Sequence, residues 1–220
     1  MKPETLEAPE IVQAGAQVLR ARAAEVTRDE MATPAFQALV VRMIARMRAA
    51  PGVGLAAPQL GVGLRIFVVE DREELMENLT AEERATRERA PIPVRVFVNP
   101  VVTPVGEERV TFFEGCLSVS GFAALVPRYR EVEVQGLDET GEPVSWRVRG
   151  WPARILQHEM DHLDGTLYID RMLTRSFGTI DQVKARFAGK PIDAVARELT
   201  GGVPLSPEGT TGDTQSPRSE

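Results

Sequence analysis

The sequence predicts an α+β fold in which mostly antiparallel strands pack around one central helix. Two observations predict it. Strand-like runs dominate residues 94–149, and a single helical stretch from Gly150 to Leu163 follows them. No internal repeat interrupts that order.

The elements follow from local chemistry. Phe36, Val40, Met43 and Met47 recur at helical spacing, so residues 33–49 form the first clear helix. Thr33-Pro34 reads as an N-cap followed by proline at N1, and Pro51-Gly52 ends the helix. Residues 51–63 hold four glycines and two prolines, which makes a shaped loop, yet Val53, Leu55, Ala56 and Ala57 are apolar, so it packs against something. Arg65 to Glu70 reads as a strand. Residues 71–90 hold seven acidic side chains and four arginines and read as a solvated, partly helical insertion. Strands are expected at Val94 to Val98, ended by Asn99-Pro100, and at 107–113, 124–134 and 144–149. The alternation from Tyr129 to Val134 gives its strand one wet face. Gly165 is a natural C′ residue after the 150–163 helix. A last helical region covers 179–199, interrupted at Gly189-Lys190-Pro191, with Pro191 at N1 of the second piece. Residues 1–200 are read as a single catalytic domain and 201–220 as a disordered C-terminal tail.

At 220 residues and 24.1 kDa the chain is long enough to bury a core. No run approaches the roughly 18 apolar residues of a membrane span, and the N-terminus shows no apolar signal region. A formal charge of -6 argues against a non-specific nucleic-acid binder. The single cysteine excludes an intramolecular disulfide and fits a reducing compartment.

The strongest local signal is His158-Glu159-Met160-Asp161-His162, which contains both histidines of the chain. Histidines at i and i+4 share one helix face and can reach one metal ion, while Glu159 can point at metal-bound water. A hydrolytic site wants a third protein ligand and an open position. Cys116, in Glu114-Gly115-Cys116-Leu117-Ser118, is available; its alternative role is a buried filler. Zinc and Fe²⁺ both fit one thiolate and two imidazoles. Ile155 and Trp151 lie three and seven residues before His158 and share its face, where they would form an apolar wall able to take a methionine side chain. Trp151 is expected at the rim, where its N–H finds a partner. Gln59 offers an amide near this chemistry, although its residue type alone fits a role in closing the loop.

Three stretches together resemble peptide deformylases: Gly52-Val53-Gly54-Leu55-Ala56-Ala57-Pro58-Gln59, Glu114 to Ser118, and His158 to Gly165. They occur in that family's order, and the likeness spans roughly residues 10–175. The resemblance implies a peptide-deformylase-like fold and a metal-dependent hydrolase that removes the N-formyl group from the N-terminal methionine of new polypeptides, releasing formate. It makes Cys116, His158 and His162 the metal ligands, and metal-bound water is activated by Glu159, which then acts as acid. Gln59 and the N–H of Leu117 would hold the developing oxyanion, and Val53, Gly54 and Gly121 would line the bound peptide. It implies one divalent ion per chain, Fe²⁺ natively, with Zn²⁺, Ni²⁺ or Co²⁺ accepted in purified protein. The expected partners are N-formylmethionyl nascent peptides, with transient ribosome contact through the C-terminal helix. Neither DNA nor membrane is expected as a partner, and a cytoplasmic monomer is expected. The small residues Ala56 and Ala57 would exclude acyl groups larger than formyl. The family often carries an arginine at position 123, where this chain has Ala123, so a cationic peptide contact is missing there. The alternatives are a related metallo-amidohydrolase or peptidase with another acyl substrate, and a non-catalytic ribosome-associated protein.

Overall fold

The computed structural model describes residues 10–200 apart from Pro51 and Ala188. The expected tail at 201–220 lies outside the described residues. Among the described residues the elements run α1 (Arg28–Met31), α2 (Pro34–Ala49), β1 (Gly54–Ala56), β2 (Ile66–Asp71), α3 (Ala81–Arg87), β3 (Ile92–Pro104), β4 (Arg109–Cys116), β5 (Val119–Tyr129), β6 (Glu131–Leu137), β7 (Pro143–Arg149), α4 (Trp151–Leu163), β8 (Gly178–Thr179), α5 (Ile180–Phe187) and α6 (Ile192–Thr200). Every strand pair is antiparallel. One sheet has the order β1-β2-β3-β6-β7 and the other β4-β5-β8. None of these helices is long and apolar enough to cross a membrane.

The larger sheet lies between two helices, and its alternation assigns side chains to each. Ile66 and Val68 of β2 pack with Phe36, Val40, Met43 and Met47 of α2. Phe67 and Val69, on the opposite face, pack with Ala153, Ile155 and Leu156 of α4. β2 is therefore buried along its whole length, as its unbroken apolar run requires. β6 turns Val132 and Val134 toward α4 and leaves Glu131, Glu133 and Gln135 at the surface. Thr33 caps α2 by accepting from the Phe36 N–H. Gly165, at φ +73°, follows α4 as its left-handed C′ residue.

Several expected boundaries move. β3 does not end at Asn99-Pro100 but runs on to Pro104 through a register shift between Val98 and Val101. Asn99 takes a left-handed φ of 50°, and its amide exchanges two hydrogen bonds of 2.8 Å with the backbone of Val26. The expected strand 124–134 is two strands in two sheets. The chain crosses from β5 to β6 at Arg130, and both halves alternate, so the periodicity conceals the change. The strand expected at 107–113 continues to Cys116, because the β4–β5 hairpin closes only at the turn Leu117-Ser118. The loop 51–63 contains the short strand β1, paired with β2. Pro191 stands just before α6 rather than inside it.

Residues 71–90 are anchored rather than simply solvated. Glu74, Glu77 and Glu82 are exposed, but Met76 is fully buried. Arg89 makes a two-point ion pair with the fully buried Asp71, at 2.7 and 2.8 Å. A side chain at Gly150 would meet Glu88 Cβ at 2.4 Å, so this segment is seated directly on the start of α4. Arg89→Ala, which leaves Asp71 buried and unpaired, is expected to lower the unfolding free energy by about 3 kcal/mol in urea titrations.

Candidate metal centre and active site

α4 and the β4–β5 hairpin bring three donors together. His158 and His162 stand one turn apart on α4, and Cys116 ends β4. Their donor atoms all lie within 4.8 Å of one another. Cys116 Sγ is 3.2 Å from His162 Nε2. His158 Nδ1–H donates to Glu114 Oε2 at 3.0 Å, which leaves the other ring nitrogen for the cluster. One soft thiolate and two imidazoles suit a divalent transition metal, and this cluster can hold one such ion. Asp161, inside the same motif, is not a donor: it turns away to Arg128 and Arg171.

The electrostatics favour a cation at this point. Burial alone would push Glu114 up, but Arg128, the His158 hydrogen bond and Arg154 hold it well below the usual carboxylate range. Burial lowers His158, yet Cys116 and Glu114 together raise it well above a free imidazole. A positive charge is thus wanted between thiolate and carboxylate. Burial pulls Arg154 down to about 10, so it stays charged at neutral pH.

Glu159 is 4% exposed, and one of its carboxylate oxygens has no partner. Burial pushes it up to about 7. The backbone of β1 passes directly beside it. A Cβ on Gly54 would lie 2.2 Å from Glu159 Oε1, so only glycine leaves the carboxylate in place.

Gln59 does two things. Its Oε1 accepts from the Ala56 N–H at 2.9 Å and closes the loop. That fixes the amide's orientation and turns Nε2 toward Ser118 Oγ, at 3.3 Å, and Cys116 Sγ, at 3.6 Å. The N-terminal segment braces both halves of the site. Val12 N–H donates to the Gln59 carbonyl at 2.9 Å, Gln13 Nε2 to the Leu117 carbonyl at 3.0 Å, and Ala14 N–H to the Ser118 carbonyl at 2.7 Å.

A cavity of about 410 Å³ opens beside the cluster. Val53, Gly54, Gln59, Cys116, Leu117 and Gly121 line it on one side, with Trp151, Ile155, His158 and Glu159 from α4 on the other. Every residue expected in the site except His162, which lies beneath Cys116, therefore reaches this cavity. Three details differ. The Trp151 indole N–H is buried without a partner, and its ring is held instead by the guanidinium groups of Arg87 and Arg89, 5.4 and 5.2 Å from the centroid. Ala56 and Ala57 are fully buried in the two apolar cores and do not line the cavity, so they cannot screen acyl groups. Ala123 offers no cation and instead pairs with Gly178 of β8.

The sequence reading missed the buried support. Glu114 accepts from both Arg128 and Arg154, and Arg128 also reaches Asp161. The only signal for Glu114 was its place two residues before Cys116. Nothing in the sequence marks Arg128 or Arg154 as buried. Phe113 and Ile180 also line the cavity without having been expected there.

Three converging donors, a buried carboxylate and an adjoining cavity define a hydrolytic metal centre. The sequence profile described as Polypeptide deformylase matches residues 8–177. The chain is 48% identical over 182 residues to peptide deformylase 1A of Arabidopsis thaliana, chloroplastic/mitochondrial, covering 83% of this chain and 68% of that one. It is 52% identical over 169 residues to peptide deformylase 1 of Streptomyces coelicolor, covering 77% and 75%. The class I type b peptide deformylase of Acinetobacter baumannii, solved with Met-Ala-Ser bound, superposes with a TM-score of 0.67 at 32% identity, covering 76% of this chain and 99% of that one. The chain belongs to the polypeptide deformylase family, and it is a metal-dependent deformylase.

Glu114→Gln removes the charge that balances Arg128 and Arg154. It is expected to weaken metal binding about 10- to 100-fold in a chelator-competition titration. Gly54→Ala is expected to lower kcat at least about 100-fold by displacing Glu159, while metal content stays unchanged.

Proposed function

We infer that this chain hydrolyses the formamide bond of N-formylmethionyl nascent peptides, with Glu159 as general base and then general acid. The observation that carries this reading is the Glu159 carboxylate, buried and unpartnered beside the Cys116–His158–His162 cluster. A divalent ion held by Cys116, His158 and His162 supplies Lewis acidity and lowers the pKa of water. Glu159 takes the proton from the attacking water, which adds to the formyl carbon. The Gln59 amide, its donor face set by the Ala56 N–H, holds the carbonyl oxygen as charge develops there, together with the N–H of Leu117. Glu159 then delivers its proton to the leaving amine, and formate and a free methionine N-terminus result. A carboxyl that burial pushes to about 7 can serve both steps near neutral pH.

The wall formed by Trp151 and Ile155 receives the methionine side chain, and the backbone at Val53, Gly54 and Gly121 flanks the peptide. The relative solved with Met-Ala-Ser bound supports a peptide of this kind as the ligand. The donor set accepts Fe²⁺, Zn²⁺, Ni²⁺ or Co²⁺ alike, and Fe²⁺ is taken as the native ion from the family resemblance. We propose that the chain works in the cytoplasm as a monomer, with transient ribosome contact through α5 and α6, although Arg186 of α5 and Lys190 between the two helices both pair with Glu198 of α6.

Anaerobically purified protein is expected to release formate from N-formyl-Met-Ala-Ser and no acetate from the N-acetyl peptide. Glu159→Ala is expected to abolish release while retaining the metal. Full metal occupancy without formate release would sink the reading. Because Cys116 is the sole cysteine, chelation is also expected to expose one titratable thiol per chain.

A further inference from the structure

The family profile ends at residue 177, yet the cavity does not. β8 (Gly178–Thr179) pairs with β5 opposite Phe122 and Ala123, and α5 begins immediately after it. Ile180, the first residue of α5, lines the active-site cavity. Phe187, at the other end of α5, stacks on Phe113 at 5.7 Å, and Phe113 lines the same cavity. α5 thus touches the cavity wall at both its ends. The segment has its own anchorage. Leu125, Phe187, Val195, Ala196 and Leu199 form a buried cluster, and Ser176 Oγ accepts from the Leu125 N–H at 2.7 Å.

The outer part of this wall is apolar and open. Phe122 and Phe177 stack nearly parallel at 5.0 Å, yet they remain 38% and 41% exposed, and Ile180 is 36% exposed. Contiguous exposed apolar side chains at the mouth of a cavity want a ligand to cover them. The cavity's one lining cation, Arg154, is bonded to Glu114 and to two backbone carbonyls, so it offers nothing to an acidic residue.

We propose that Phe122 and Phe177, together with Ile180 from just beyond the family match, form a selecting wall that favours nascent peptides with an apolar side chain just downstream of the formyl-methionine. This rests on the deformylase reading above. Continuity of the wall with the cavity sets the occupant: Phe122 and Ile180 line the same cavity as Glu159, so a peptide whose first residue is held there has its next residues within reach of them. A successive side chain laid across this ledge removes apolar surface from water that no described residue covers.

The test compares kcat/KM of the metal-loaded full chain on formyl-Met-Leu-Ser, formyl-Met-Ser-Leu and formyl-Met-Ser-Ser. One leucine peptide is expected to exceed formyl-Met-Ser-Ser by about five- to tenfold, the value of covering one side chain in part. That ratio is expected to fall toward one in Phe177→Ser and Ile180→Ser and to persist in Phe177→Leu, with circular dichroism confirming the fold of each. Equal rates on all three peptides in the unsubstituted protein would overturn the selecting wall and leave the deformylase reading intact. So would a ratio that survives both serine variants. No formate from any peptide would overturn the deformylase reading and the wall with it. A concentration-dependent dimer by light scattering, lost in Phe177→Ser, would assign the ledge to a second copy of this chain and overturn the proposal.

Discussion

Glu114 is a carboxylate with almost no access to water, and its neighbours make that state tolerable. Arg128 of β5 and Arg154 of α4 both bond to it, and His158 donates to its remaining lone pair. Two of those four groups belong to the hairpin and two to the helix. The cluster therefore sets where α4 sits against β4 and β5, and with it the distance from Cys116 to the histidines. Burial of so many charges is costly unless all are paired, and removal of any one leaves others stranded. Asp161 completes the arrangement by taking the second side of Arg128 and the guanidinium of Arg171. The motif's internal aspartate is thus occupied with structure while the histidines beside it converge with Cys116.

A second constraint is steric. β1 passes so close to Glu159 that a side chain at position 54 would displace its carboxylate. The same passage shields the carboxylate from water, which raises its proton affinity toward neutrality. Gln13 and the backbone on either side of it tie the Gln59 loop to the Cys116–Ser118 turn, so the two walls of the site share one brace. Preorganisation here comes from backbone hydrogen bonds and packing rather than from long flexible side chains.

Two regions that compose like accessories bear on the cavity, one by supporting its wall and one by lining it. The acidic segment 71–90 sets Arg87 and Arg89 against the Trp151 ring and packs its backbone on the start of α4. The segment after residue 177 adds a strand to β5 and presents Ile180 to the cavity. Charge count and position in the chain gave little sign of either, since both depend on which surfaces meet after folding.

The sequence by itself determined the two histidines of the donor cluster, the α+β class and the helices at 33–49 and 150–163. Each of these rests on spacing along one element: i and i+4 on a helix, alternation on a strand, a cap residue before proline. Only the tertiary structure decided that Glu114, Arg128 and Arg154 are buried together, that Ala56 and Ala57 belong to the cores, and that the strand pattern at 124–134 changes sheet at Arg130. The physical reason is common to all three. A charged or small side chain carries no mark of its surroundings until residues 14 to 44 positions apart are brought into contact, and alternation has the same period in either sheet.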